Sequence, residues 1–247
     1  MKFYYENLID ATVTYSGTAE VDNPATNLND PKRFNLFLDN SPASGVFIKI
    51  DFGSGKQCDS IALGNFYTTG ATTCNIYGSN NDSSYSLISS FSSPTTADNH
   101  IEEFTQATWR YWKIVFSTSG SFTKLQIGNI FLGNKFETNH DPELSINRTS
   151  NYSGIINQTI TGKKDSLITQ NEVRKQFILD YQYINPTDKV NFEKMRDVIL
   201  MNEGDSLYPL FFNFCDDDYF VRWQGGLNLT DQAYQAYQTT INLIGEL

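Results

Sequence analysis

The chain has 247 residues and a formal net charge of −10, with only 19% of residues charged. No Lys/Arg cluster interrupts that acidic balance, so nucleic acid and anionic membrane surfaces are not expected partners, since both require a basic patch. Aromatic residues make up 14% and Asn, Ser and Thr are frequent; polarity without charge suits short strands and turns better than helices.

The length accommodates two domains, each able to bury roughly 65–70% of its unfolded surface without staples. The opening residues, MKFYYENLID, are polar and lack the apolar core of a signal peptide. No run of about 18 apolar residues occurs, so membrane insertion is not expected. Cys58, Cys74 and Cys215 are scattered and odd in number, and read as reduced thiols of a protein folded in a cytoplasm. N-x-S/T triplets at Asn81, Asn147, Asn151, Asn157 and Asn228 read as a consequence of composition.

In chain order, VFIKIDF (46–52) alternates, with Val46, Ile48, Ile50 and Phe52 on one face. Gly53-Ser54-Gly55 reads as a hairpin turn ending that strand. SIALGNF (60–66) and TCNIYGS (73–79) follow. In RYWKIVF (110–116), Trp112, Ile114 and Phe116 share a face. In LQIGNIFLG (125–133), Leu125 and Ile127 point inward before the phase shifts to Ile130 and Leu132, so a bulge is expected at Gly128-Asn129. Short strands at this spacing describe an antiparallel sandwich or barrel.

The polar joint NKFETNHDP (134–142) marks the boundary between expected domains 1–135 and 136–247. RKQFILDYQYI (174–184) reads as a strand. Asn185 is placed to N-cap a helix, with Pro186 first and Asp188 in the first turn. Phe192, Met195, Val198 and Ile199 form its apolar face and Gly204 its C′ residue; such a helix is about 27 Å long. YPLFFNF (208–214) and YFVRW (219–223) form a hairpin around Cys215-Asp216-Asp217-Asp218, and YQTTINLIGEL closes the chain as a strand. The fold class is therefore mainly β: a sandwich, then a smaller α+β domain with a β-sheet or barrel and one long helix.

Chemistry is sparse. His100 and His140 read as surface-loop residues, and neither has metal-ligand spacing to another His or Cys. GSGK (53–56) lacks the remaining residues of a phosphate-binding loop. Asp216-Asp217-Asp218 reads as a turn and departs from calcium-loop spacing. There is no nucleophile elbow. No metal, no cofactor and no enzymatic activity are expected. Phe66 and Tyr67, at a strand end beside a Thr/Gly loop, and Trp109, preceding another strand, are the candidates for stacking on a sugar ring.

NPATNLNDPKRFNLFL (23–38), KIDFGSGKQCDSIALGN (49–65), ATTCNIYGSNND (71–82) and RYWKIVF…LQIGNIFLG (110–133) together resemble the galactose-binding-like, discoidin-type jelly roll. That resemblance implies a jelly-roll β-sandwich over the first 133 residues. The family's secreted-type disulfides and a calcium-ligand pattern are absent. The order of elements over roughly 140–247 is similar to bacteriophage tail-tip hub and distal tail proteins.

Two functions of different class are expected, the first favoured. The first is a structural virion protein of a phage tail, assembled in the host cytoplasm. It would pack on other tail proteins and on copies of itself through Tyr208, Phe211, Phe212, Tyr237, Ile241 and Leu243, on strands expected to have exposed edges. The second is a carbohydrate-binding module that recognises host-surface glycans through loops of the sandwich.

Overall fold

The computed structural model describes residues 1–9, 12–29, 36–70, 72–96, 98–118, 123–158, 164–201, 209–214, 217–224, 227–233 and 236–245. The chain is mainly β and antiparallel. Its strands are β1 (Lys2–Asn7), β2 (Thr12–Tyr15), β3 (Phe37–Asp39), β4 (Val46–Thr68), β5 (Thr73–Ser79), β6 (Ser86–Ser92), β7 (Asp98–Ser117), β8 (Leu125–Ile127) and β9 (Asn129–Glu137). Then come β10 (Glu143–Gln158), β11 (Lys164–Ile184), the helix α1 (Pro186–Met201), β12 (Pro209–Phe214), β13 (Asp217–Gln224), β14 (Thr230–Ala233) and β15 (Ala236–Gly245). Two compact units result: Met1–Thr138 with Pro209–Phe220, and Asn139–Tyr208 with Val221–Leu247.

In the first unit the strand order is β12-β1-β9-β4-β7-β5-β6, with β2 beside β4. A short second sheet joins β3, β8 and the end of β4. This unit has a main core. Val46, Ile48 and Ile50 of β4 meet Trp112, Ile114 and Phe116 of β7, together with Phe37, Leu125 and Ile127 from the short sheet. Period-2 alternation puts all of these on one side of their strands.

The Gly53-Ser54-Gly55 turn is corrected. β4 runs unbroken through it, and the pairing with β7 merely slips between Asp51 and Lys56. Gly53 takes a left-handed φ of 70° and donates its N–H to Asp51 Oδ1, so the residues form a bulge that bends the strand without reversing it. The phase shift at Gly128-Asn129 is a change of partner: β8 pairs with β3 and the end of β4, whereas β9 pairs with β1 and an earlier part of β4.

Residues 209–220, read as part of a second domain, lie in the first unit. Their apolar strand finds the N-terminus: Lys2, Phe3 and Tyr4 pair with Asn213, Phe212 and Phe211. The Phe3 ring stacks between Phe136 and Phe212, both centroids 5.9 Å away. Phe211, Phe220, Tyr4, Phe131 and Ala62 form a satellite core on the opposite side of β4.

The interface reading is corrected with it. Phe211, Phe212, Ile241 and Leu243 are at most 3% exposed. β12 lies between β1 and β13, and β15 between β11 and β13, so neither has a free edge. Tyr237 is half-buried beneath the Lys189 ammonium, 4.2 Å from its ring centroid. Tyr208 lies outside the described residues.

In the second unit β11 pairs with β10 and β15, and β15 also pairs with β13 and β14. Asn185 caps α1 as its chemistry dictates: Oδ1 accepts the Asp188 N–H at 2.8 Å, and the Asp188 carboxylate accepts both N–H groups of Asn139. Phe192, Met195 and Ile199 are buried, while Val198 is partly buried. The Tyr181 ring meets Phe192 edge-on at 5.0 Å. Gly204 lies outside the described residues.

Candidate functional site

The site begins with a kink. Just before the kink Ile61 and Leu63 of β4 face the main core; beyond it Phe66 and Thr68 are the buried ones. Asn65 absorbs the extra residue at a left-handed φ of 48°, a conformation Asn tolerates better than most residues. The Gly128 N–H donates to Gly64 O at 2.8 Å, holding the kink where β4 leaves β9 for β8.

The change of phase sorts two neighbouring rings. Phe66 turns inward and is fully buried, edge-on to Phe91 and tilted against Phe116. It is a core residue, which corrects its reading as a sugar-stacking ring. Tyr67 turns outward, half-buried, directly opposite Gln126 of β8. The pair Gly64-Asn65 was the available signal, because a left-handed Asn shifts every later side chain by one face.

Polar groups gather around Tyr67. Gln126 Nε2 donates to Asn65 Oδ1 at 3.2 Å, and Asn99 Oδ1 accepts the Asn65 N–H at 3.3 Å. The Lys124 ammonium lies 5.4 Å from the Tyr67 ring centroid. Thr69 and Thr123 bridge the adjoining loop through their hydroxyls, 2.9 Å apart. Among the described residues, Asn65 Nδ2, Asn99 Nδ2, Gln126 Oε1 and the Tyr67 hydroxyl take no protein hydrogen-bond partner. Lys124 has no carboxylate within 4 Å there. The result is one aromatic ring bordered by amides and a cation whose bonding capacity is unspent.

Trp109 does not join this group. It pairs across from Lys56 on β4 and lies half-buried against Gly78, so close that a Cβ there would stand 2.2 Å from Trp109 Cδ1. Its carbonyl accepts the Trp112 indole N–H at 3.1 Å, and its own Nε1 is buried without a partner among the described residues. Trp109 therefore serves to pack β7 on β5.

A second aromatic surface lies on the outward side of β4, β7 and β5. Here Lys49 stands opposite Lys113, and Lys113 opposite Tyr77. Like charges facing across strands are unfavourable unless neutralised. Lys49 is neutralised by Asp82 at 2.7 Å, whose carboxylate also receives the Tyr85 hydroxyl. Lys113 Nζ sits 3.7 Å from the Tyr85 centroid, 5.2 Å from Phe47 and 5.8 Å from Tyr77. Arg110 forks onto both oxygens of Asp51, at 2.9 and 3.0 Å, while lying over Tyr111. The Arg110 hydrogen bonds hold Asp51 below the usual carboxylate range, and those from Lys49 and Tyr85 do the same for Asp82.

Two further groups depart from their sequence reading. His100 is a strand residue, not a loop residue: its ring stacks on Phe91 at 4.2 Å and its Nε2 is buried, 3.7 Å from Glu102. Burial pushes its pKa down, against the opposing pull of Asp218, Glu102 and Asp98. Asp218, read as a turn former, accepts the Ile101 N–H at 2.8 Å and an Asn213 amide N–H at 2.7 Å. Desolvation raises its pKa despite those bonds. His140 is exposed, as a surface residue should be. Cys58 and Cys74 are free and buried; burial pushes the Cys58 thiol up to about 12 and raises Cys74 as well. Cys215 lies outside the described residues. Among the described residues no cluster of His, Cys, Asp and Glu could hold a metal, and no helix is long and apolar enough to cross a membrane.

No family model and no curated protein matches the sequence. Solved structures similar to it include the CBM32 of AlyQ in complex with 4,5-unsaturated mannuronic acid, at 22% identity over 52% of this chain and 96% of that one, with a TM-score of 0.42. Another is the family 32 CBM from C. perfringens NanJ in complex with galactose, at 15% identity over 55% of this chain and 100% of that one, with a TM-score of 0.45. A third is the chitosan-binding module 1 from a Paenibacillus sp. IK-5 chitosanase/glucanase, at 16% identity over 51% and 98%, with a TM-score of 0.44. These are likenesses of fold over about half of the chain.

Proposed function

We propose that the first unit is a carbohydrate-binding module whose contact surface is centred on Tyr67. The observation that carries this reading is the outward Tyr67 ring beside Gln126, Asn65 and Asn99, whose remaining amide groups are unspent. Sugars present apolar C–H faces ringed by hydroxyls, so a ring to stack on and fixed amides at its border suit them together. The sugar ligands named for the neighbours above agree with this reading, which rests on the geometry around the ring. The alternative role in tail assembly loses the strands it depended on as interfaces, since four of its candidate side chains are core.

The test is a glycan array followed by titration calorimetry of the hits, using the full chain and Tyr67→Ala. Binding that weakens at least about tenfold in the variant, with an unchanged melting profile, is the expected outcome. Hits that bind Tyr67→Ala as well as wild type would move the site elsewhere, and an empty array with folded protein would end the reading.

A further inference from the structure

We infer that the Tyr67 surface selects sugars carrying a carboxylate, and that Lys124 is the residue that selects them. This rests on the glycan reading and adds the class of ligand to it.

In a chain of net charge −10, the Lys124 ammonium has no carboxylate within 4 Å among the described residues and lies over the one outward ring of the site. The other cations that lie over aromatic rings in this unit are placed differently. Arg110 is paired with Asp51, and Lys113 is enclosed by three rings. Among the described residues Lys124 has a single ring and no carboxylate beside it.

That arrangement makes the ammonium and a sugar competitors for Tyr67. A neutral sugar that stacks on the ring must push Lys124 off it and offers no charge in return. A carboxylated sugar gives the ammonium an ionic hydrogen-bond partner beside the ring, so the exchange that exposes the ring also forms the salt bridge. Gln126 and Asn65, already bonded to each other, keep Gln126 Oε1 and Asn65 Nδ2 for the sugar hydroxyls. Uronic acids and sialic acids share this chemistry.

The test pairs each acidic ligand with its neutral form. Oligogalacturonate and oligomannuronate are compared with their carboxyl-reduced counterparts, and sialyllactose with lactose, on wild type, Lys124→Gln, Lys124→Arg and Tyr67→Ala. The expected result is that one acidic ligand binds about five- to tenfold more tightly than its neutral partner at low salt, an advantage that added salt erodes. Lys124→Gln should abolish the advantage, bringing acidic and neutral forms to equal affinity, and Lys124→Arg should retain it. The acidic ligand that responds distinguishes a uronic from a sialic source.

Equal binding of acidic and neutral forms, or an advantage that survives Lys124→Gln, would overturn the inference and leave the glycan reading intact. Failure of every ligand to bind folded protein, or binding indifferent to Tyr67→Ala, would take down the reading and the inference together.

Discussion

Two surfaces of the first unit pair tyrosines with basic residues, and they differ in what is left over. On the outward side of β4, β7 and β5, Arg110 answers Asp51, Lys49 answers Asp82, and Lys113 is boxed by Tyr85, Phe47 and Tyr77. That surface is closed on itself. Around Tyr67 the same residue types meet with their capacity unspent. Exposure of an aromatic ring is therefore a poor mark of a site, because a ring can stand in a cluster whose charges and hydrogen bonds are already met within the protein. The useful mark is a ring whose polar neighbours still lack partners.

Closed charge networks should matter to stability and open ones to binding, and this division can be broken by experiment. The largest effect is expected at Glu103, a third and still more closed cluster. Its carboxylate receives Lys2 at 2.7 Å, Lys135 at 2.5 Å and the Tyr4 hydroxyl at 2.6 Å. Burial alone would raise its pKa; the bonds from Lys135, Lys2 and Tyr4 outweigh burial and hold it at about 2. Because the folded value is depressed, this contribution is present above the ordinary value of 4.5 and lost as pH falls through about 2. Glu103→Ala should cost about 2 kcal/mol at neutral pH in urea denaturation, after allowance for partial exposure. A cost that persists undiminished at acid pH would show that the carboxylate is not its source.

Next comes the comparison between rings. Tyr67→Ala should weaken glycan binding about tenfold and barely move the melting temperature, whereas Tyr85→Ala should lower stability by about 1 kcal/mol and leave binding alone. The reverse result would invert the assignment of the open and closed surfaces.

His100 gives a smaller, pH-dependent effect. Burial favours its neutral form in the folded chain, so the unfolded chain takes up the proton first. Stability should then be full above the ordinary value of 6.5 and decline as pH falls through it. Denaturation midpoints at about pH 7.5 and about pH 5.5 should differ in wild type and converge in His100→Phe, which keeps the stack on Phe91 without the titration. A variant with the wild-type slope would assign the dependence to another group. The smallest effect is expected at the half-exposed Lys49–Asp82 pair, where Asp82→Asn should cost about 0.3 kcal/mol, measurable as a slight midpoint shift that high salt erases.

Much of the fold was legible because side-chain alternation and capping are local. Val46 to Phe52, Trp112 to Phe116 and the Asn185 cap each need only a few neighbouring residues to declare themselves. The candidate site was half legible. Tyr67 stood out as an aromatic at a strand end, yet Phe66 beside it looked equivalent until the left-handed turn at Asn65 set their faces. Lys124, Gln126 and Asn99 carried no signal, since nothing in a sequence tells which loop will meet which strand end.

The sequence by itself determined the β-rich character, the inward faces of the main strands and the start of the one helix, because these follow from residue type and period. Tertiary structure alone decided the rest. Phe211 and Phe212 became core once β12 found β1. Asp218 became a structural acceptor once it reached Ile101, 117 residues away. Tyr67 came to stand outward, opposite Gln126 of β8, once a kink at Asn65 set its face. In each case the deciding partner is distant in the chain, and only the packing of strands with unmet backbone and side-chain groups brings it near.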